Sequence, residues 1–176
     1  TKDNPSKIES WHTDMTFLKN PPLCSILRSK ICPSKGGDTM WSSMTAAYES
    51  LSESMKNFLK NLTAEHDFCH GFKESIAEPG GRERLKDAIK NNPPVVHPVI
   101  RTHPITKRKA IFVNPLFTTK INELSKSESD ALLEFLYSYS ITPEFTCRFS
   151  WTPNSIAIWD NRCTLHKPIN DYFPEH

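Results

Sequence analysis

The chain reads as a mainly β fold with helical insertions, a jelly-roll-like β-barrel with its helices packed outside. Three observations point there. Six strand candidates are spread along 176 residues, with helical segments inserted between them. Fourteen prolines against five glycines indicate many short elements joined by rigid turns. The run Phe145-Thr146-Cys147-Arg148-Phe149-Ser150-Trp151 alternates apolar and polar residues with period two, the mark of a half-buried strand.

In chain order, strands are expected over 11–17 and 24–31. A helix follows over 43–61, with Ala47, Leu51, Met55, Phe58, Leu59 and then Leu62 at spacings of three and four. A shorter, charged helix over 81–91 ends ahead of Pro93-Pro94. Strands are expected again over 95–102 and 110–113. The helix over 125–139 opens on the capping pattern Ser125-x-x-Glu128 and then buries Leu132, Leu133, Phe135 and Leu136. Strands over 146–151 and 155–160 complete the set.

Length suits one domain over 1–176, long enough for a core. The formal net charge is +2, from 22 basic and 20 acidic residues, so there is no basic surplus of the nucleic-acid-binding kind. No apolar run approaches the ~20 residues that span a bilayer, and no charged-then-apolar leader opens the chain. The five cysteines, Cys24, Cys32, Cys69, Cys147 and Cys163, are odd in number and form no C-x-x-C pair. That argues against structural zinc and a disulfide framework, and the expected compartment is the reducing cytoplasm.

The chemistry centres on Trp11-His12-Thr13-Asp14 and the distant His166. In a strand, residues two apart point to the same side, so His12 and Asp14 could both face a barrel interior. Two imidazoles and one carboxylate can hold one face of an Fe(II) ion and leave the other open for a co-substrate and dioxygen. In a chain with seven histidines such a pair also arises by chance, as a polar surface pair, and His166 alone reads as an ordinary surface or core histidine. His97 and His103, flanking Arg101, are read as structural hydrogen-bonding groups rather than a second metal site. His66 and His70 near Cys69 lack a fourth zinc ligand at useful spacing. Trp41, Trp151 and Trp159 are expected to fill the core, and Asp160 and Arg162 to pair, with no catalytic role.

Five motifs occur in order: Trp11-His12-Thr13-Asp14-Met15-Thr16-Phe17; Gly36-Gly37-Asp38-Thr39-Met40-Trp41; His97-Pro98-Val99-Ile100-Arg101-Thr102-His103-Pro104; Phe112-Val113-Asn114 with Phe117-Thr118-Thr119; and Trp159-Asp160-Asn161-Arg162 with His166. Together they closely resemble the taurine / 2-oxoglutarate dioxygenase family, which also contains alkylsulfatase, sulfonate and aryloxyalkanoate dioxygenases. The resemblance implies a double-stranded β-helix, with His12, Asp14 and His166 as iron ligands. It implies that Thr39 hydrogen-bonds the distal carboxylate of 2-oxoglutarate, and that Phe17, Phe72 and Phe117 lie near the organic substrate. The implied cofactors are Fe(II), 2-oxoglutarate as co-substrate and O2. The implied reaction hydroxylates taurine or a related alkyl sulfonate, releasing sulfite, an aldehyde, succinate and CO2. A threonine hydroxyl can donate to a carboxylate, and aromatic walls can hold a small substrate away from water. Read without the resemblance, Thr39 is a turn residue and each phenylalanine a core residue.

The pattern departs from the family in two places. The family's carboxylate-clamping arginine would fall directly after His176, with a sulfonate-binding arginine a few residues on, so a domain incomplete at both ends is expected. Ile8 stands where taurine enzymes carry an asparagine, which brings alkyl sulfate esters and other sulfonates alongside taurine. The alternatives are therefore a same-fold dioxygenase for a sulfate ester or aryloxyalkanoate, and a non-catalytic jelly-roll binding protein. A small-molecule partner, no nucleic acid, no membrane and a homo-oligomer are the expected associations.

Overall fold

The computed structural model describes residues 10–172. Strands β1 (Cys24–Arg28) and β2 (Thr39–Ser43) lead into helices α1 (Met44–Ser50) and α2 (Glu53–Leu59). Strand β3 (Thr63–His66) is followed by four short helices: α3 (Phe68–Gly71), α4 (Lys73–Ala77), α5 (Gly81–Arg84) and α6 (Lys86–Asn91). Then come β4 (Val95–Pro98), β5 (Ile100–Thr102), β6 (Lys109–Ile111), β7 (Thr118–Ile121) and the long helix α7 (Lys126–Ser140). Strands β8 (Thr146–Phe149), β9 (Ile156–Asp160) and β10 (Thr164–Pro168) follow. They pair, always antiparallel, into small sheets ordered β1-β9, β10-β2-β8, β4-β3-β7 and β5-β6. Among the described residues, no helix is long and apolar enough to cross a membrane.

Local chemistry explains most boundaries. The helix expected over 43–61 is two helices. Ser43 caps α1 by accepting the Ala46 N–H, and Ser52 caps α2 by accepting the Met55 N–H; Leu51 and Ser52 are extended between them. The apolar spacing runs on through this break, which is why spacing alone missed it. Phe58 faces outward, 51% exposed. The 81–91 helix also divides, at Leu85, whose backbone leaves helical geometry (φ −101°, ψ 6°). Helix α7 begins as expected: the Glu128 carboxylate accepts the Ser125 backbone N–H at 2.9 Å. Leu132, Leu133 and Leu136 are buried, but Phe135 is exposed and stacks on Tyr139 one turn later.

The strands differ more. Residues 11–17 form no strand: His12 makes one isolated bridge to His166, and the chain then turns, with Met15 left-handed at φ 53°. The 95–102 segment breaks at the fully buried Val99 into strands of different sheets. β8 is an edge strand and mostly exposed, so the alternation over 145–151 buries little; Phe145 and Trp151 at its ends are half-buried. β2, β3 and β7 escaped the sequence reading because TMWSS, TAEH and TTKI are short and polar.

The main core joins α1, α2 and α7 to the sheets through Met44, Ala47, Leu59, Ala64, Ile111, Ile121, Leu136 and Leu165. A second cluster of Phe17, Phe68 and Phe117, with Phe72 against it, sits under the turn after Asp14. Leu165 drives β10 into the main core. Side chains alternate along a strand, so His166, the next residue, emerges on the opposite face, toward His12.

Candidate metal centre

Two segments 154 positions apart meet at one backbone bridge. The His12 N–H donates to the His166 carbonyl at 3.0 Å, and the His166 N–H to the His12 carbonyl at 2.8 Å. This stacks the imidazoles, with ring centroids 4.1 Å apart. The tight turn after His12 returns Asp14 to the pair: its Oδ1 lies 3.6 Å from His12 Nε2 and 3.7 Å from His166 Nε2. The same-side placement expected of H-x-D is met by bridge and turn, not by strand pleating. One ligand atom from each residue lies within 4.8 Å of the others.

The protonation states suit a cation. His12 Nδ1 contacts the Ser10 carbonyl at 2.9 Å, an acceptor only, so Nδ1 carries a proton and Nε2 is the ring nitrogen that faces Asp14. Burial, and then the neighbouring His12, push His166 down to about 4 despite Asp14, so it is neutral at pH 7. Burial pushes the Asp14 carboxyl upward. The His12 imidazole, the Ser25 hydroxyl and the neighbouring His166 outweigh that and hold it below the ordinary carboxylate value. Two imidazoles and a carboxylate make up the donor set of a 2-His-1-carboxylate iron site. The Nε2–Oδ1 separations are too long for hydrogen bonds, so these atoms do not satisfy one another. The residues fit the ion.

The three ligands line a cavity of about 340 Å3, shared with Ser25, Thr39, Trp159 and Pro168. Thr39 is brought there by register: β2 pairs with β10 so that Thr39 lies opposite Pro168, two residues past His166. Trp151 Nε1 donates to Thr39 Oγ1 at 3.0 Å. The threonine therefore accepts from the tryptophan, and its own proton remains for another acceptor. The tryptophans expected in the core instead sit half-buried beside this cavity, Trp41 touching both Trp151 and Trp159. A broader cavity of about 560 Å3 is lined by Trp41, Phe149 and Trp159, and Trp159 serves both.

Phe17, Phe72 and Phe117 are brought together: the Phe17 ring lies 6.2 Å from Phe72 and 5.0 Å from Phe117, edge-on to both. Phe17 and Phe117 are buried. Phe72, half-buried, lines a separate cavity of about 320 Å3 with Ser10 and His70. Ile8 lies outside the described residues.

The structural reading of the other histidines holds. His97 Nε2 lies 2.9 Å from the Thr16 carbonyl and 3.0 Å from that of Leu18. Fully buried His66 contacts the Thr16 hydroxyl at 2.9 Å, which also accepts from Asn114 at 3.0 Å. Together they anchor the turn that carries Asp14. His103, Asp160 and Cys163 cluster closely enough to resemble a second metal site. However, His103 Nδ1 accepts the Thr106 N–H, so its protonated Nε2 donates to Asp160 at 3.1 Å. The Arg162 guanidinium forks onto both oxygens of the same carboxylate, holding Asp160 well below the usual range. That cluster is closed by its own hydrogen bonds. Sequence reasoning missed Ser25, which donates to Asp14 Oδ2, Asn161 behind it, and Trp151. No short-range pattern marks them, because the Ser25–Asn161 and Trp151–Thr39 hydrogen bonds each span more than a hundred positions.

Two histidines and a carboxylate that could hold a metal ion, set in this fold, have the layout of a 2-His-1-carboxylate oxygenase scaffold. Over residues 1–176 the chain matches the family described as taurine catabolism dioxygenase TauD, TfdA family. The chain belongs to the TauD/TfdA family, and its fold is the jelly roll with helical insertions that the sequence predicted. It is 37% identical to an alkylsulfatase of Acinetobacter baylyi, over 97% of this chain and 55% of that protein. It is 37% identical to a taurine dioxygenase from Burkholderia xenovorans of known structure, with a TM-score of 0.78, covering 93% of this chain and 53% of that one. A third relative, AAD-2 in complex with Mn(II) and N-oxalylglycine, is 30% identical with a TM-score of 0.78, covering 90% of this chain and 56% of the other. The chain spans about half the length of the curated relatives it matches.

Proposed function

We propose that the protein carrying this chain is an Fe(II)- and 2-oxoglutarate-dependent dioxygenase that hydroxylates a small alkyl sulfonate, taurine first among them. The observation that carries this is the convergence of His12 Nε2, His166 Nε2 and one Asp14 oxygen. His12, Asp14 and His166 would hold the metal. When bound, Fe(II) with 2-oxoglutarate supplies dioxygen activation coupled to decarboxylation to succinate and CO2. The protein's own residues do the rest. Thr39, its hydroxyl oriented by Trp151, donates to the distal carboxylate of the co-substrate. Phe17 and Phe117, buried with Phe72 packed against them, form an apolar cluster behind the Asp14 turn, and Phe72 faces a cavity of its own where the organic part of a substrate would lie. Hydroxylation at the carbon bearing sulfur then releases sulfite and an aldehyde.

The alkylsulfatase relative favours a second reading, a sulfate ester as substrate on the same scaffold. An aryloxyalkanoate rests on family membership alone. A non-catalytic binding role is disfavoured by the intact set of His12, Asp14, His166 and Thr39 lining one cavity. The five cysteines, all free thiols, suit a reducing cytoplasm.

The test is anaerobic titration of the full-length protein with Fe(II) and 2-oxoglutarate, followed by taurine and then an alkyl sulfate. A visible charge-transfer band that shifts with taurine supports the first reading. A shift only with the alkyl sulfate transfers the activity to sulfate esters. A folded protein without the band refutes the dioxygenase.

A further inference from the structure

Asp14 sits in a turn, outside any strand, so the fold must orient its carboxylate by other means. The two oxygens divide their work. Oδ1 faces both histidine Nε2 atoms, whereas Oδ2 accepts the Ser25 hydroxyl in a short hydrogen bond. Ser25 Oγ in turn accepts from Asn161 Nδ2 at 2.9 Å. Proton counting makes the direction unique. An amide NH2 only donates, so the serine oxygen accepts from Asn161 and its single proton goes to Asp14 Oδ2. Asn161 is 1% exposed, and its backbone N–H donates to the Leu23 carbonyl at 3.1 Å.

Ser25 lies on β1 opposite Trp159 of β9, and Asn161 follows directly on the last residue of β9. The β1–β9 ribbon exposes Ile26, Ile156 and Ile158, so apolar burial there does little to hold it. Its end is pinned instead by polar contacts, through Asp160 to His103 and Arg162 and through Asn161 to Ser25. We infer that Ser25 and Asn161 are positioning residues, a relay that holds Asp14 as a one-oxygen metal ligand by occupying its second oxygen. The inference rests on the proposed metal centre. Removing the relay frees the carboxylate to rotate about its terminal torsion and presents both oxygens to the ion.

The test uses Co(II) alone, anaerobically, with the full-length protein, reading affinity and the visible ligand-field spectrum. Ser25→Ala is expected to bind Co(II) about tenfold more weakly, the range for lost outer-shell partners, with an altered spectrum. Ser25→Thr, which keeps the hydroxyl, restores both. Asn161→Ala weakens binding less, and the double variant binds no more weakly than Ser25→Ala, because the asparagine acts only through the serine. Ser25→Ala with wild-type affinity and spectrum overturns the relay. So do additive effects of the two substitutions. Should one variant not fold, the other still decides, since each alone must weaken Co(II). Wild-type protein that binds no Co(II) refutes the metal centre itself, and the relay with it.

Discussion

Thr39 shows how one hydroxyl can be committed in advance. Trp151 occupies its acceptor side, so its proton is available to a co-substrate carboxylate. A hydrogen bond to a charged group contributes about 1.5–3 kcal/mol. Thr39→Val is therefore expected to raise the 2-oxoglutarate KM roughly 10- to 100-fold while Fe(II) affinity stays near wild type, and Thr39→Ser to restore KM. Steady-state kinetics at varied 2-oxoglutarate, paired with metal titration, checks the split. His66 makes a different residue-scale prediction. Burial, then the charges of His97 and Arg101, lower it to about 3. Between that value and the ordinary ~6.5, the unfolded chain binds a proton that the folded chain does not. The stability contribution is thus full above about pH 6.5 and is lost as pH falls toward 3, by up to about 1.4 kcal/mol per pH unit. Urea unfolding at pH 7 and pH 5 should show this slope, and His66→Gln should flatten it; an unchanged slope in the variant assigns the effect elsewhere.

At the scale of elements, helix α3 meets the loop before β7 with no room to spare. A Cβ on Gly71 would lie 2.3 Å from Phe117 Cε1, inside a cluster that also holds Phe17. Gly71→Ala is expected to cost about 1–3 kcal/mol, the range for overpacking, by displacing Phe117 and disturbing Phe17, three residues after Asp14. Denaturant unfolding measures the cost, and wild-type stability would mean the ring moves aside freely. The elements also show what was legible in sequence. Ser125 and Glu128 announced α7 because a capping box is local chemistry. The break between α1 and α2 was hidden because Leu51 fits both a continued helical stripe and a buried corner; only the Ser52 cap separates them.

For the molecule as a whole, the proposed metal centre joins two ends of the described chain. His12 and Asp14 precede the first strand and His166 lies on the last, and the backbone bridge between them is a single pair of hydrogen bonds. An ion held by all three would cross-link these segments in the folded state alone. Saturation at 100 times Kd stabilises by about 2.7 kcal/mol. Thermal unfolding of the full-length protein should shift upward with Mn(II) or Co(II), return with chelator, and not shift in His166→Ala. A shift retained by that variant would place the ion elsewhere.

The sequence by itself determined the family, the candidate ligands and the start of α7. Each is written either in neighbouring residues, as in His12-Thr13-Asp14 and Ser125-x-x-Glu128, or in the order of motifs along the chain. Tertiary structure alone decided how the ligands meet. Residues 11–17 looked like a strand, yet Asp14 reaches the histidines through a turn, because the bridge to His166 ends after one residue pair and Met15 takes a left-handed backbone. It also decided which groups stand behind them. Ser25, Asn161 and Trp151 carry no local signal, since hydrogen bonds between residues more than a hundred positions apart depend on strand register, and register follows from the packing of the whole core.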